Sequence, residues 1–212
     1  PYSHARILSL NAEKARRLPG VHSVLTGGNL GGVDPYRPRR DYGPGMGIPP
    51  DQPLLAIDKV RFDGDPVAAV AAESLSIAEQ ALDLIEVEYE ELPTVFDPVE
   101  ALKPGAPLVH EAHGTNLVGE YPFGWGDVEK GFKESDQIVE DTFTFPNLFH
   151  YPIENVGVCI ATFLNDEVDL LAPIQHLFSA RSEIARIFGV EVDKIRIHFP
   201  YVGGGFGVKE LE

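Results

Sequence analysis

The run Gly203-Gly204-Gly205-Phe206-Gly207 constrains this chain more than any other stretch. Glycine accepts φ > 0 and lets other groups approach the backbone closely, so such a run reads as a loop rather than a helix or strand. Before it, Ile195, Ile197 and Phe199 alternate with Arg196 and His198, which is the period of a half-buried strand. Pro200 then ends the ladder, having no N–H to donate. A loop of this kind can turn successive backbone N–H groups into a concave anion-binding nest. Four readings fit it. A dinucleotide fingerprint accounts for Gly203 and Gly205, but its third glycine falls on Val208. A P-loop accounts for Gly203 and Lys209, but not for Val208 or Glu210, and no hydroxyl stands ready for Mg²⁺. The remaining readings are a glycine-rich loop of another cofactor class and a wide turn without ligand.

Upstream, strand and helix patterns alternate. Ala5 to Leu10 reads as a strand, Asn11 as a helix cap, Ala12, Ala15 and Leu18 as one apolar stripe, and Val21 to Thr26 as a returning strand. Residues 27–53 are rich in Gly and Pro and carry Arg37, Arg39 and Arg40, which suit a phosphate, a partner chain or a solvated loop. Leu54 to Ile57 predicts a short strand, and Asp63-Gly64 a turn. The small apolar run Val67 to Ala72 predicts a strand buried on both faces. Ser76 and Glu79 predict a capping box for a helix bearing Ile77, Ala78, Ala81, Leu82 and Ile85. Glu86 to Glu90 alternates as an exposed, solvated strand. Asp97 to Asn116 reads as a Pro-rich passive linker, in which His110, Glu111 and His113 lack the spacing of a helical metal pair.

A second unit follows. A short helix runs from Asp127 through Phe132, and strands are expected over Ile138 to Phe145 and Val156 to Phe163. Asn165-Asp166 reads as a hairpin turn into Val168 to Leu171. Leu177, Ala180, Ile184, Ile187 and Phe188 then mark a helix stopped by Gly189. Glu154 stands at a strand start, where a half-buried carboxylate needs a partner and can brace a loop. Gln175 lies between strand and helix; its amide can satisfy the helix end or donate to a ligand oxygen. Cys159, in an apolar run, reads as a buried thiol, and His4 and His22 as packing or surface histidines.

A net charge of −16 argues against nucleic acid and anionic membrane surfaces as partners. No apolar stretch reaches the ~18 residues of a membrane span. A single cysteine allows no internal disulfide and fits a cytoplasmic setting. The opening at Pro1 and the closing Leu211-Glu212, similar to residues left before an affinity tag, suggest a piece of a longer protein.

Gly-Gly-Gly-Phe-Gly-Val-Lys after a strand resembles the signature of the molybdenum hydroxylases, the xanthine dehydrogenase and aldehyde oxidase family. Val208 stands where that family often has Gly, a departure that matters if the position needs φ > 0. The blocks Asp58 to Glu73 and Val87 to Pro93 resemble the family's α/β hammerhead domain, and Pro104 to Glu111 its linker. His150 to Asn155 is similar to a segment usually containing Met-Glu-Pro, with Ile153 and Asn155 departing. Gln175 falls where Thr-Gln is common, with Ile174 in place of Thr.

The resemblance implies an α/β (α+β) fold. A hammerhead domain over residues 1–107 would precede the first part of a molybdopterin-binding α/β domain over residues 108–212. It implies that Gln175 contacts the oxo ligand at molybdenum, and that Gly204, Gly205, Phe206 and Gly207 offer backbone contacts to the cofactor. Glu210 matches a position that contacts purine in xanthine-oxidising members. The family's catalytic glutamate lies downstream, so no catalytic residue and no direct metal ligand is expected here. The whole enzyme would insert water-derived oxygen into a C–H bond of an aldehyde or N-heterocycle. Its electrons would pass to iron–sulfur clusters and FAD on partner subunits or domains. The 212-residue chain alone is expected to hold no molybdenum and turn over nothing. The alternative is a non-catalytic docking or assembly module for partner subunits.

Overall fold

The computed structural model describes residues 1–33, 53–120, 122–146, 148–154, 157, 159–165, 167–199 and 201–209. The chain divides into two compact units, residues 1–119 with 183–192 and residues 120–182 with 193–212.

In the first unit, β1 (Ala5–Asn11) is the centre of a three-stranded sheet. It pairs antiparallel with β3 (Lys59–Val60) on one side and β5 (Glu86–Glu91) on the other. A second ladder joins β2 (Val21–Thr26) antiparallel to β4 (Ala68–Ala72). The short helix α1 (Glu13–Arg16) and the longer α2 (Leu75–Asp83) pack beside that ladder. Alanines make the close approaches. Ala12, Ala15 and Ala81 are buried with Val24 in one cluster, and Ala5 and Ala56 with Val60 in another. An alanine buries one methyl, about 0.8 kcal/mol per carbon, so Val24 and Val60 with their half-buried neighbours carry most of the apolar stabilisation.

Several expectations change here. Val67 to Ala72 is not buried on both faces: β4 alternates half-buried and exposed residues, because a two-stranded ladder packs one face only. Leu54 to Ile57 forms no strand. The cap of α2 is Ser74, whose hydroxyl accepts from Ile77 N at 3.3 Å; Ser76 instead accepts from Gln80 Nε2. Residues 97–116 are not a passive linker. Asp97 caps α3 (Pro98–Ala101), and Asn116 is stitched to Val109 N, Ala101 O and Pro107 O. Lys59, its side chain 5% exposed, donates to Val109 O and to both oxygens of Glu111 at 2.7–2.8 Å. His4 is buried on Pro93 O and His22 is exposed. The arginines 37, 39 and 40, and most of the 27–53 stretch, lie outside the described residues.

In the second unit, Asp127 caps α4 (Val128–Glu134) by accepting from Lys130 N. Its sheet has the order β6 (Ile160–Leu164), β7 (Glu167–Leu171), β8 (Ile195–His198). The β6–β7 pair is an antiparallel hairpin, with Asn165 at φ 51° in its turn. β7 and β8 are parallel, Val168 facing Ile195 and Leu171 facing His198; the helix α5 (Leu177–Phe188) comes between them in the chain, with residues 177–182 in this unit and 183–188 in the first. Gly189 follows α5 at φ 66°, the left-handed stop expected from its sequence.

Two further expectations fail in this unit. Ile138 to Phe145 forms no strand: among the described residues its backbone has no ladder partner, and Val139, Phe143 and Phe145 are exposed. Alternation supplies an extended segment, but a strand also needs a neighbour to hydrogen-bond with. Cys159 is exposed rather than buried, since β6 beside it lies at the sheet edge with its residues exposed.

Candidate functional site

Because β7 and β8 run parallel, their carboxyl ends lie at one edge of the sheet. In α/β sheets that edge is where loops converge on ligands. Ala172 N extends the ladder by donating to His198 O, and the chain then reaches Gln175 just ahead of α5. On the neighbouring strand the chain leaves β8 and enters the glycine loop. The two segments are joined there. Gln175 N donates to Lys209 O at 2.8 Å, and Gln175 Oε1 accepts from Gly207 N at 3.0 Å and Lys209 N at 3.2 Å.

At two positions of the loop a neighbouring side chain fills the space a Cβ would take. A Cβ on Gly205 would stand 2.3 Å from Gln175 Cδ and Oε1, so the Gln175 side chain lies where any other residue would place its own. A Cβ on Gly203 would stand 2.3 Å from Glu154 Oε2 and 2.4 Å from Glu154 Cβ, and its φ is 61°. Val208 is not among the described residues with positive φ, so valine meets no backbone penalty there. Phe206 does have positive φ, 55°, with its side chain mostly in solvent. Tyr151 is also positive, at 44°. For bulky residues this region is uncommon and costs about 1–3 kcal/mol, and such residues cluster at ligand sites.

Lys209 closes the loop from beneath. Its side chain is 0% exposed, and Nζ donates to Glu154 Oε2 at 2.7 Å and to Val202 O. Glu154 therefore has the partner that its position demands. Sequence reasoning gave Lys209 no structural role, weighing it as a P-loop lysine and as the last residue of the glycine-loop signature. The available signal was a lysine directly behind a glycine loop together with a half-buried glutamate upstream.

The structure thus brings together Gln175, Gly205 and Gly207, with Gly204 and Phe206 on the same loop. Glu210 lies outside the described residues. The N–H of Gly207 is taken by Gln175, so that glycine is not a free donor. Among the described residues, the N–H groups of Gly204, Gly205 and Phe206 and the Nε2 of Gln175 donate to no protein acceptor. Donors of this kind on one loop are of the type that meets an acceptor-rich, anionic ligand. Among the described residues no group of three or more His, Cys, Asp or Glu converges to hold a metal ion directly. A cavity of about 310 Å³, lined in part by Leu10, Arg16, Thr26 and Ile57, lies within the first unit and contains none of these site residues.

Residues 109–212 match the molybdopterin cofactor-binding domain, and residues 1–93 match the a/b hammerhead domain of aldehyde oxidase and xanthine dehydrogenase. The chain is 39% identical to a probable xanthine dehydrogenase subunit of Bacillus subtilis, over 99% of this chain and 27% of that protein. It is 36% identical to the nicotinate dehydrogenase large molybdopterin subunit of Eubacterium barkeri, over 97% of this chain and 46% of that one. Among solved structures, quinoline 2-oxidoreductase from Pseudomonas putida 86 superposes with a TM-score of 0.84 at 31% identity, covering 99% of this chain and 26% of its own. The chain therefore spans between about a quarter and under half the length of these relatives.

Proposed function

This chain belongs to the aldehyde oxidase and xanthine dehydrogenase family, and we propose that its second unit forms one wall of a molybdopterin site in a larger oxidoreductase. The observation that carries the reading is the junction of Gln175 with the glycine loop at the carboxyl ends of β7 and β8. That junction uses the acceptor end of the Gln175 amide internally and leaves its NH₂ for a ligand. Molybdopterin carries phosphate and metal-bound acceptor groups, so the donors of Gly204, Gly205, Phe206 and Gln175 match it in kind. When bound, the cofactor supplies the redox chemistry of hydroxylation, and the protein supplies binding and orientation.

The residues present here hold and orient. Gln175 Nε2 would donate to an acceptor of the cofactor, and Gly205 permits the Gln175 placement by lacking a Cβ. The N–H groups of Gly204, Gly205 and Phe206 line the same rim. Glu154, the carboxylate against the loop, is tied to Lys209 and is not placed as a general base. The base and the remaining walls come from polypeptide outside these residues, since a site of this kind normally buries most of its ligand. In the whole enzyme the substrate class is an aldehyde or N-heterocycle, hydroxylated with oxygen from water. Iron–sulfur clusters and FAD on partner subunits or domains would take up the electrons.

The test is made in the full-length protein. Gln175→Ala should lower hydroxylase turnover by about a hundredfold, in line with loss of a well-placed catalytic donor. Molybdenum content, read by elemental analysis, should fall with Gly205→Val. Unchanged metal content and unchanged turnover in both variants would remove this loop from the cofactor site.

A further inference from the structure

Lys209 and Glu154 contribute nothing to the donor set, yet that set is strung between them. The backbone of Lys209 donates to Gln175 Oε1 and accepts from Gln175 N, which ties the exit of the loop to the β7–α5 junction. Its buried side chain folds back under the loop to Val202 O at the entry, and to Glu154 on a separate segment. The Glu154 side chain passes across the Cα of Gly203, where no other residue would leave room. One residue thus spans the loop from exit to entry and anchors it to a second piece of chain.

The loop has little else to fix it. Gly203, Gly204, Gly205 and Gly207 offer no side chains to pack, and Phe206 is 72% exposed. Within the loop, Val208 N donates to Gly205 O, and no further internal backbone bond occurs among the described residues. Ordering a glycine-rich loop opposes a large backbone entropy, so the hydrogen bonds at its ends decide its conformation. Glu154 is 42% exposed at its side chain, so water can solvate the carboxylate when Lys209 is removed. Loss of the lysine amine should therefore loosen the loop while leaving the unit folded.

We infer that the Lys209–Glu154 ion pair is a positioning latch. It holds the Gly204 to Phe206 N–H groups and the Gln175 amide in one geometry toward the cofactor, and touches neither cofactor nor substrate. The inference rests on the cofactor reading of this loop.

The test uses the full-length protein carrying Lys209→Met, Lys209→Arg or Glu154→Gln. Arg196→Ala, which breaks the exposed pair with Glu167 on the same sheet, is the control. The first readout is amide hydrogen exchange over residues 203–209 in cofactor-free protein. Lys209→Met should speed exchange at Gly207 and Lys209 about tenfold or more, as local opening becomes easier. Glu154→Gln, whose amide oxygen still accepts from Nζ, should have a smaller effect, and Arg196→Ala none. The second readout is the loaded enzyme. There Lys209→Met should lower kcat about tenfold with KM within about twofold, and change the molybdenum EPR signal, because small misplacements of orienting groups act on turnover. If Lys209→Met does not fold, Lys209→Arg and Glu154→Gln carry both readouts. Unchanged exchange overturns the latch and leaves the cofactor reading standing. Faster exchange with unaltered molybdenum content, EPR signal and kcat overturns the cofactor reading, and the inference with it.

Discussion

Gly205→Ala is the sharpest perturbation of this site, because the backbone itself would tolerate alanine. Gly205 is not among the described glycines with positive φ, so no conformational penalty enters. The whole effect comes from the new methyl, which would lie 2.3 Å from Gln175 Cδ and Oε1 and 2.6 Å from Cγ. These atoms cannot step aside cheaply, since Oε1 holds Gly207 N and Lys209 N. Displacing the side chain gives up two hydrogen bonds, at about 1 kcal/mol each. Overpacking a filled site adds about 1–3 kcal/mol if the chain resists. The expected loss is about 2–4 kcal/mol, the lower end applying if Gln175 swings fully into solvent. The assay is urea unfolding of Gly205→Ala, Gln175→Ala and the double variant, followed by circular dichroism. Truncating Gln175 at Cβ removes every clashing atom, so Gly205→Ala should cost under about 0.5 kcal/mol in that background, a coupling diagnostic of direct contact. An equal loss in both backgrounds would mean that the new methyl does not meet the Gln175 side chain.

Three other outcomes follow from the structure. Phe206→Gly should leave stability unchanged or raise it by about 1 kcal/mol in the same unfolding assay, because an exposed ring at φ 55° gives little burial in exchange for left-handed backbone. Ser74→Ala should lower stability by about 1 kcal/mol through loss of the α2 cap, measured by thermal unfolding. Lys59→Met should cost about 1–2 kcal/mol near neutral pH, less than a fully buried pair because Glu111 is 63% exposed. That cost should depend on pH with a definite sign. The hydrogen bond from Lys59, foremost, holds the Glu111 carboxyl below its ordinary value of 4.5. The stabilisation is therefore full above that ordinary value and is lost as pH falls through the lowered folded value. Urea titrations of both proteins across this range should show their difference shrinking toward acid.

The legible parts of this chain were those set by local chemistry. Alternation in Ile195 to Phe199 marked β8, and the apolar spacing from Leu177 to Phe188 with Gly189 marked α5. The glycine run announced a loop that must accept close neighbours, and Gln175 one helix and one strand upstream fell beside it. What stayed hidden depended on partners distant in sequence. The Lys209–Glu154 pair spans 55 positions, and Lys59–Glu111 spans 52. No periodicity encodes such meetings. Ile138 to Phe145 shows the converse case: a strand pattern settles extension, while pairing is decided by whichever chain lies alongside. Ser74 over Ser76 was a local competition in which two serines both had the chemistry for a cap, and helix register chose between them.

On the proposed function, Gln175 and the Gly204 to Phe206 backbone face the molybdenum cofactor. A crystal structure of the full-length protein loaded with cofactor tests it most directly. Gln175 Nε2, and at least one N–H of Gly204, Gly205 or Phe206, should lie within about 3.2 Å of a cofactor acceptor atom. Oε1 should still be held by Gly207 and Lys209. Cofactor seated on another face, with Gln175 and the glycine loop in solvent, would contradict it.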